Sequence, residues 1–222
     1  PTARCGLAGG ARVTRASTVV PPPQRLPATE RRRAGTIIKV SIVAADEALA
    51  MSGLDAADVA TVFSASEGDG RNCHDLCDAL ASSDRMVSPT RFTNSVHNAP
   101  AGYWHIATHS MAPSTSLCAH DASFATGLME AALQVQASQA PVLLVVADAP
   151  YPEPLHSTRP LPDSMAIAML LGPWLAADGD ANHQGLATLT LDYRSAAADA
   201  TTSSCDLADM QSLTRALPAA RG

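Results

Sequence analysis

Residues 113–148, PSTSLCAHDASFATGLMEAALQVQASQAPVLLVVAD, constrain the fold of this chain more than any other stretch. A short β-prone run, Pro113 to Cys118, is followed by a turn and an apolar-periodic segment from Asp121 to Ala137. A continuous apolar run, Val142 to Val146, closes it. Strand, helix and strand at these lengths predict a βαβ unit, which places functional residues where a strand hands over to a helix. In the middle segment Phe124, Leu128, Ala131, Ala132 and Val135 recur at three- and four-residue spacings, while Ser123, Thr126, Glu130 and Gln134 fall on another face. That is an amphipathic helix. Asp121 stands at its start, where a carboxylate can accept from unpaired backbone N–H groups, and a plain N-cap accounts for it without any chemistry.

At 222 residues and 46% hydrophobic the chain can bury a sizeable core, and one domain is the expectation. The charge is unevenly laid out: residues 1–39 hold seven Arg and one Lys against Glu30 alone, whereas the remainder holds seven bases and twenty acids. An acidic body argues against nucleic acid as the main partner. Five scattered cysteines, Cys5, Cys73, Cys77, Cys118 and Cys205, make no disulfide framework, so a reducing cytoplasm is expected. No apolar run is long enough to cross a bilayer, and no charged start leads into a secretion signal, so no membrane is expected either.

In chain order, residues 1–33 read as an irregular, basic, Pro-rich arm and residues 34–222 as the folded domain. A helix is predicted from Thr36 to Gly53, a strand from Val59 to Ser66, a loop at Glu67 to Gly70 and a helix from Cys73 to Ala81. Cys73, His74 and Cys77 lack a second ligand pair, and the His105/His109 pair lacks the Glu of a metalloprotease motif, so no metal or other cofactor is expected. Ser88 to His109 reads as one helix bent at Pro100 and Gly102, with Ala99, Ala101 and Gly102 small enough to admit a second backbone. A Pro-rich loop follows Asp148. Ser164 to Leu171 and Gly185 to Asp192 are predicted as an antiparallel hairpin turning near Asp178 to Asn182, and Ser204 to Leu217 as a closing helix. Helices alternating with strands call for an α/β sheet covered on both faces.

The segments SPTRFTNSVHNAPAGYWHIATHSMAPSTSLCAHDASFATGLMEAALQ and PVLLVVADAPYPEP resemble the N-terminal half of a β-ketoacyl-acyl carrier protein synthase, over roughly residues 30 to 195. They are more closely similar to the short, free-standing ketosynthase-like chain-length factors of aryl polyene pigment clusters. The resemblance implies a thiolase-like α/β fold, here a single N-terminal-half αβαβα layered domain with a mixed sheet. In such synthases a cysteine at the strand-to-helix junction is acylated, its thiolate favoured by the helix N-terminus, and two histidines from the second half assist decarboxylation. This chain is expected to stop before that half could be built.

Glu130 and Ala131 resemble the residues nine and ten places beyond the nucleophile, and counting back from them lands on Asp121. An aspartate there is a weak nucleophile towards thioesters and repels a malonyl carboxylate. The other alignment makes Cys118 the nucleophile with His120 as base. The resemblance therefore implies a non-catalytic subunit that pairs with a full-length synthase, or with itself, through the sheet edge. Tyr103, Trp104, Phe124, Leu128 and Met129 are then the candidates for tunnel walls or partner contacts. Two further readings stand beside it: a free-standing acyltransferase or thioesterase using Cys118, and a homodimeric module binding acidic acyl carrier protein on the basic arm.

Overall fold

The computed structural model describes residues 17–173 and 185–191. The elements run α1 (Ala28–Arg33), α2 (Thr36–Ala50), β1 (Ala60–Ala65), α3 (Gly70–Ala81), α4 (Pro89–Thr93), α5 (Ala99–Thr108), β2 (Ser114–Cys118), α6 (Ser123–Ser138), β3 (Val142–Asp148), α7 (Leu155–Thr158) and β4 (Met165–Leu171). A single 3-10 turn, His120–Ala122, leads into α6.

Among the described residues the strands form one mixed sheet in the order β2-β1-β3-β4. β1 is parallel to β2, with Val62 beside Thr115, and parallel to β3, with Val62 beside Leu144. β4 runs antiparallel to β3, with Asp148 beside Met165 and Val142 beside Leu171. The βαβ unit expected from residues 113–148 is therefore present, but β1 lies between its two strands. From β1 the chain crosses to one side for β2 and back to the other for β3, which makes the carboxyl ends of these strands a switch point where α/β sheets take ligands.

Side chains on β3 alternate between two cores. Leu143, Val145 and Ala147 join Phe63 under α2 and α5, together with Ile38, Ile42 and Trp104. Val142, Leu144 and Val146 join Val62 under α6, against Ala131 and Val135. Every residue of β3 is buried, as its unbroken apolar run demands of a strand covered on both faces. Each fully covered Leu there contributes about 1.5–3 kcal/mol of transfer free energy.

α6 lies unusually close to the sheet at Gly127. A Cβ on that residue would sit 2.9 Å from Ser64 Cβ and 3.1 Å from Leu144 Cδ1.

Four expectations change. Residues 28–33, placed in an irregular arm, form α1, whose Ala34 C-cap amide donates to the Glu30 carbonyl, and Leu26 just before it is buried. Ser88 to His109 is two helices rather than one bent helix. Pro100 stands in the first turn of α5, the one place in a helix where its missing N–H costs nothing. Gly102 admits no close neighbour, since a Cβ there would meet nothing within 4 Å. Residues 185–191 form no strand; β4 takes β3 as its partner, and the alternation of GLATLTL has no ladder among the described residues. The predicted turn at 178–182, residue 192 and the helix at 204–217 lie outside the described residues.

Candidate functional site

The carboxyl ends of β1, β2 and β3 converge on the turn between β2 and α6. Ser64 and Ser123 fix the helix to the sheet there. The Ser64 hydroxyl donates to the Ser123 carbonyl at 2.8 Å. The Ser123 hydroxyl lies 2.7 Å from both the Ala65 and His120 carbonyls and accepts from the Ala119 amide at 3.2 Å. These small hydroxyls are fully covered, so they hold the junction where a larger side chain would prise it open. The turn is tight enough to put His120 in the left-handed region, at φ 51°.

Asp121 does not cap α6. The N-cap is Ala122, with no side-chain bond to the helix amides. Because the 3-10 turn intervenes, the Asp121 carboxylate points instead to Arg159, whose Nη2 donates to Oδ1 at 2.8 Å. Arg159 Nη1 contacts His120 Nε2 and lies 3.3 Å from Nδ1. His120 Nδ1 is in turn 3.5 Å from Asp121 Oδ1. The three side chains form one closed cluster.

A second set of hydrogen bonds holds the buried end of β3. Ser66 donates to Asp148 Oδ1 from its amide at 2.9 Å and from its hydroxyl at 2.6 Å, and Asp148 is 1% exposed. Having spent its one proton on Asp148, the Ser66 hydroxyl accepts from the Tyr151 hydroxyl at 2.7 Å. Burial alone would lower the Arg159 pKa, but its bonds to Tyr151 and Asp121 outweigh that and raise it, so the guanidinium stays charged. Burial pushes the Tyr151 phenol up.

Cys118 ends β2, beside Ala65 of β1. Solvent reaches the residue, yet the protein packed round its sulfur, followed by the carboxylates of Asp148 and Glu67, pushes its thiol above the ordinary range. That is the reverse of what an acylated cysteine needs. No hydrogen bond joins Cys118 to His120 among the described residues; the imidazole faces Arg159 and Asp121.

The five wall candidates do not come together. Tyr103 and Trp104 are buried in the core under α2, where the Tyr103 hydroxyl donates to Asn94 at 3.1 Å and the Arg25 guanidinium sits 5.5 Å from the Trp104 ring. Phe124 and Leu128 lie across the sheet, half-buried against the α6 core, and Met129 is exposed. The sequence reading missed Ser66, Asp148, Tyr151 and Arg159. The one pointer to them was the Pro-rich loop after Asp148, since loops at strand ends carry function.

The sequence from residue 10 to residue 220 matches the model of the family described as beta-ketoacyl synthase, N-terminal domain. A comparison with curated proteins finds no match. Among solved structures, the chain is similar to the complex of a ketosynthase (ApeO) with its chain length factor (ApeC) from Xenorhabdus doucetiae. The identity is 26% and the TM-score 0.60, over 75% of this chain and 68% of that one. The ishigamide ketosynthase/chain length factor is 17% identical with a TM-score of 0.59, over 71% of this chain and 49% of that one. A beta-ketoacyl synthase from Burkholderia phymatum is 15% identical with a TM-score of 0.53, over 62% and 35%. The chain thus spans about two-thirds of the first structure and half or less of the others. With its mixed sheet layered between helices, the chain belongs to the beta-ketoacyl synthase N-terminal domain family and has that family's thiolase-like α/β fold.

Proposed function

We propose that the chain is a chain-length factor: a non-condensing subunit that pairs with a full-length β-ketoacyl-acyl carrier protein synthase in fatty-acid or polyketide-type elongation of the aryl polyene kind. The observation that carries this is the ion-paired Asp121 at the strand-to-helix junction, the position at which a condensing relative is expected to hold its acylated cysteine. A carboxylate held by Arg159 is a poor acyl acceptor, and Cys118 nearby is biased towards the unreactive thiol. The complex of a ketosynthase with its chain length factor, 26% identical over the matched region, supports the same reading.

The partner synthase docks along β2, which is bonded on one side only among the described residues, and against α6, where Phe124 and Leu128 are half-buried and Met129 is exposed. On this reading those three contribute to the tunnel wall, while Tyr103 and Trp104 serve the core. The acyl carrier protein, an acidic partner, meets the basic residues of the N-terminal arm. Mixing the purified chain with the co-expressed full-length synthase should give a one-to-one complex on size-exclusion chromatography. Two species that elute independently would refute the proposal.

A further inference from the structure

We infer that α1, the start of α3 and α4 together form a docking surface for an acidic protein, with Arg31, Arg32, Arg33, Arg71 and Arg91 supplying charge and Phe92 an apolar anchor. On the subunit reading above that protein is the acyl carrier protein. The inference rests on that reading for the partner's identity and adds where on the fold the partner sits.

Three pieces of chain far apart in sequence are tied into one corner. The side-chain amide of Asn94, at the end of α4, donates to the Arg33 carbonyl at the end of α1 at 2.9 Å. The side-chain amide of Asn72, in the first turn of α3, donates to the Arg91 carbonyl in α4 at 2.7 Å. Gly35, between α1 and α2, lies so close to Asp69 that a Cβ there would overlap its carboxylate. Each element brings arginine with it: α1 carries Arg31, Arg32 and Arg33 in its last turn, α3 carries Arg71 and α4 carries Arg91. Arg32, Arg33, Arg71 and Arg91 are all exposed.

The nearby carboxylates do not cancel this charge. Glu30 pairs with Arg33 at 3.2 Å, and Asp75 pairs with Arg91. Asp69 accepts from the Asn72 amide, and burial holds its carboxyl above the ordinary range. Glu67 lies with Tyr151 against Gly70. Arg31 bonds the neutral Gln24, and among the described residues neither Arg32 nor Arg71 has a carboxylate within ion-pair distance. Guanidinium groups without a counter-charge, on a chain of formal net charge −6, mark where an acidic partner gains most. The corner also exposes apolar surface: Phe92, next to Arg91, is 69% exposed, and Val96 is 49% exposed. An aromatic ring among arginines fits the face of an acidic amphipathic helix, which the charges steer and the ring anchors.

The test is fluorescence anisotropy of labelled apo-acyl carrier protein titrated with the full chain. The apo form lacks the arm that carries acyl groups, so the signal reads surface docking alone. Binding should weaken about tenfold as ionic strength rises from about 0.05 M to about 0.5 M. Arg32→Glu and Arg71→Glu should each raise Kd about three- to tenfold at the lower salt. Phe92→Ala should raise it by a similar factor and leave the salt dependence unchanged. Arg85→Asn serves as the control: Arg85 is exposed beyond the far end of α3, and asparagine tolerates its left-handed backbone at φ 49°. All four substituted side chains are exposed, so native circular dichroism is expected throughout. Absence of binding by the wild-type chain, a loss in Arg85→Asn equal to that in Arg32→Glu, or an unchanged Kd in Phe92→Ala overturns the docking surface. The synthase is absent from the titration, so a failure here alongside an intact synthase complex removes this surface and leaves the subunit reading standing.

Discussion

Gly127→Ala is the sharpest probe of how α6 is seated. In an ordinary helix interior the substitution would stabilise by about 1 kcal/mol, because alanine gives up less backbone entropy. Here the new methyl would enter at 2.9 Å from Ser64 Cβ and 3.1 Å from Leu144 Cδ1, and neither neighbour is the tip of a long flexible side chain. Overpacking of that kind costs about 1–3 kcal/mol. Relief by lifting the helix a few tenths of an ångström stretches the Ser64 to Ser123 bond and the contact of Ser123 with Ala65, buried bonds of about 1 kcal/mol each. The expected sum is a loss of roughly 1–2 kcal/mol, or about 2–8 °C in Tm for a domain of this size. Differential scanning calorimetry on the single variant and on the Ser64→Gly, Gly127→Ala pair decides it. In the pair the intruding methyl has space, so the alanine should recover its helical advantage over Ser64→Gly alone. A single variant that melts above the wild type, or a pair with no coupling, would show that α6 does not rest on Ser64.

Two further expectations concern protonation. Cys118 should react with iodoacetamide at pH 7 more slowly than free cysteine, and its rate should still be climbing above pH 9, because burial first and then Asp148 and Glu67 disfavour the thiolate; a rate that levels off by pH 8 contradicts this. Asp69 caps α3 by accepting from the Asn72 amide at 2.9 Å, yet burial raises its pKa above the ordinary carboxylate value. Since the folded chain holds that proton more tightly than the unfolded one, stability is lost as the pH rises through the window between the two values. Asp69→Asn, which keeps the cap, should match the wild type in Tm at the acid end of that window and exceed it at pH 7; a variant less stable than the wild type at pH 7 counts against burial as the dominant influence.

The elements whose burial follows a period were readable in advance. α6 shows Ala131 and Val135 at a four-residue spacing, and β3 shows five apolar residues in a row, so both were placed within a residue or two. α1 could have been read from ATERRR, with Glu in the first turn and three Arg in the last, a charge order that suits the helix dipole, but the surrounding prolines masked it. The site was legible only in part. Asp121, Cys118 and His120 lie together in sequence and could be nominated, whereas Arg159, which meets Asp121 and His120, comes from the loop beyond β3. Such pairings leave no periodic trace. Trp104 lies in the core under α2, and its bulk and aromaticity, shared by a tunnel wall and a core, could not say so in advance.

The direction of β4 has a bearing on how any condensing site could be completed. Lying antiparallel to β3, it begins next to Asp148, at the end that carries Asp121, and finishes beside Val142 at the far end. The seven residues of β4 put roughly 23 Å between Leu171 and the end of β3 that faces the junction. The edge at β2 stands at the other extreme, for its last residue, Cys118, is only three positions short of the aspartate. Of the two outer strands, β2 is therefore the one that finishes beside the junction, and β4 the one that leads away from it.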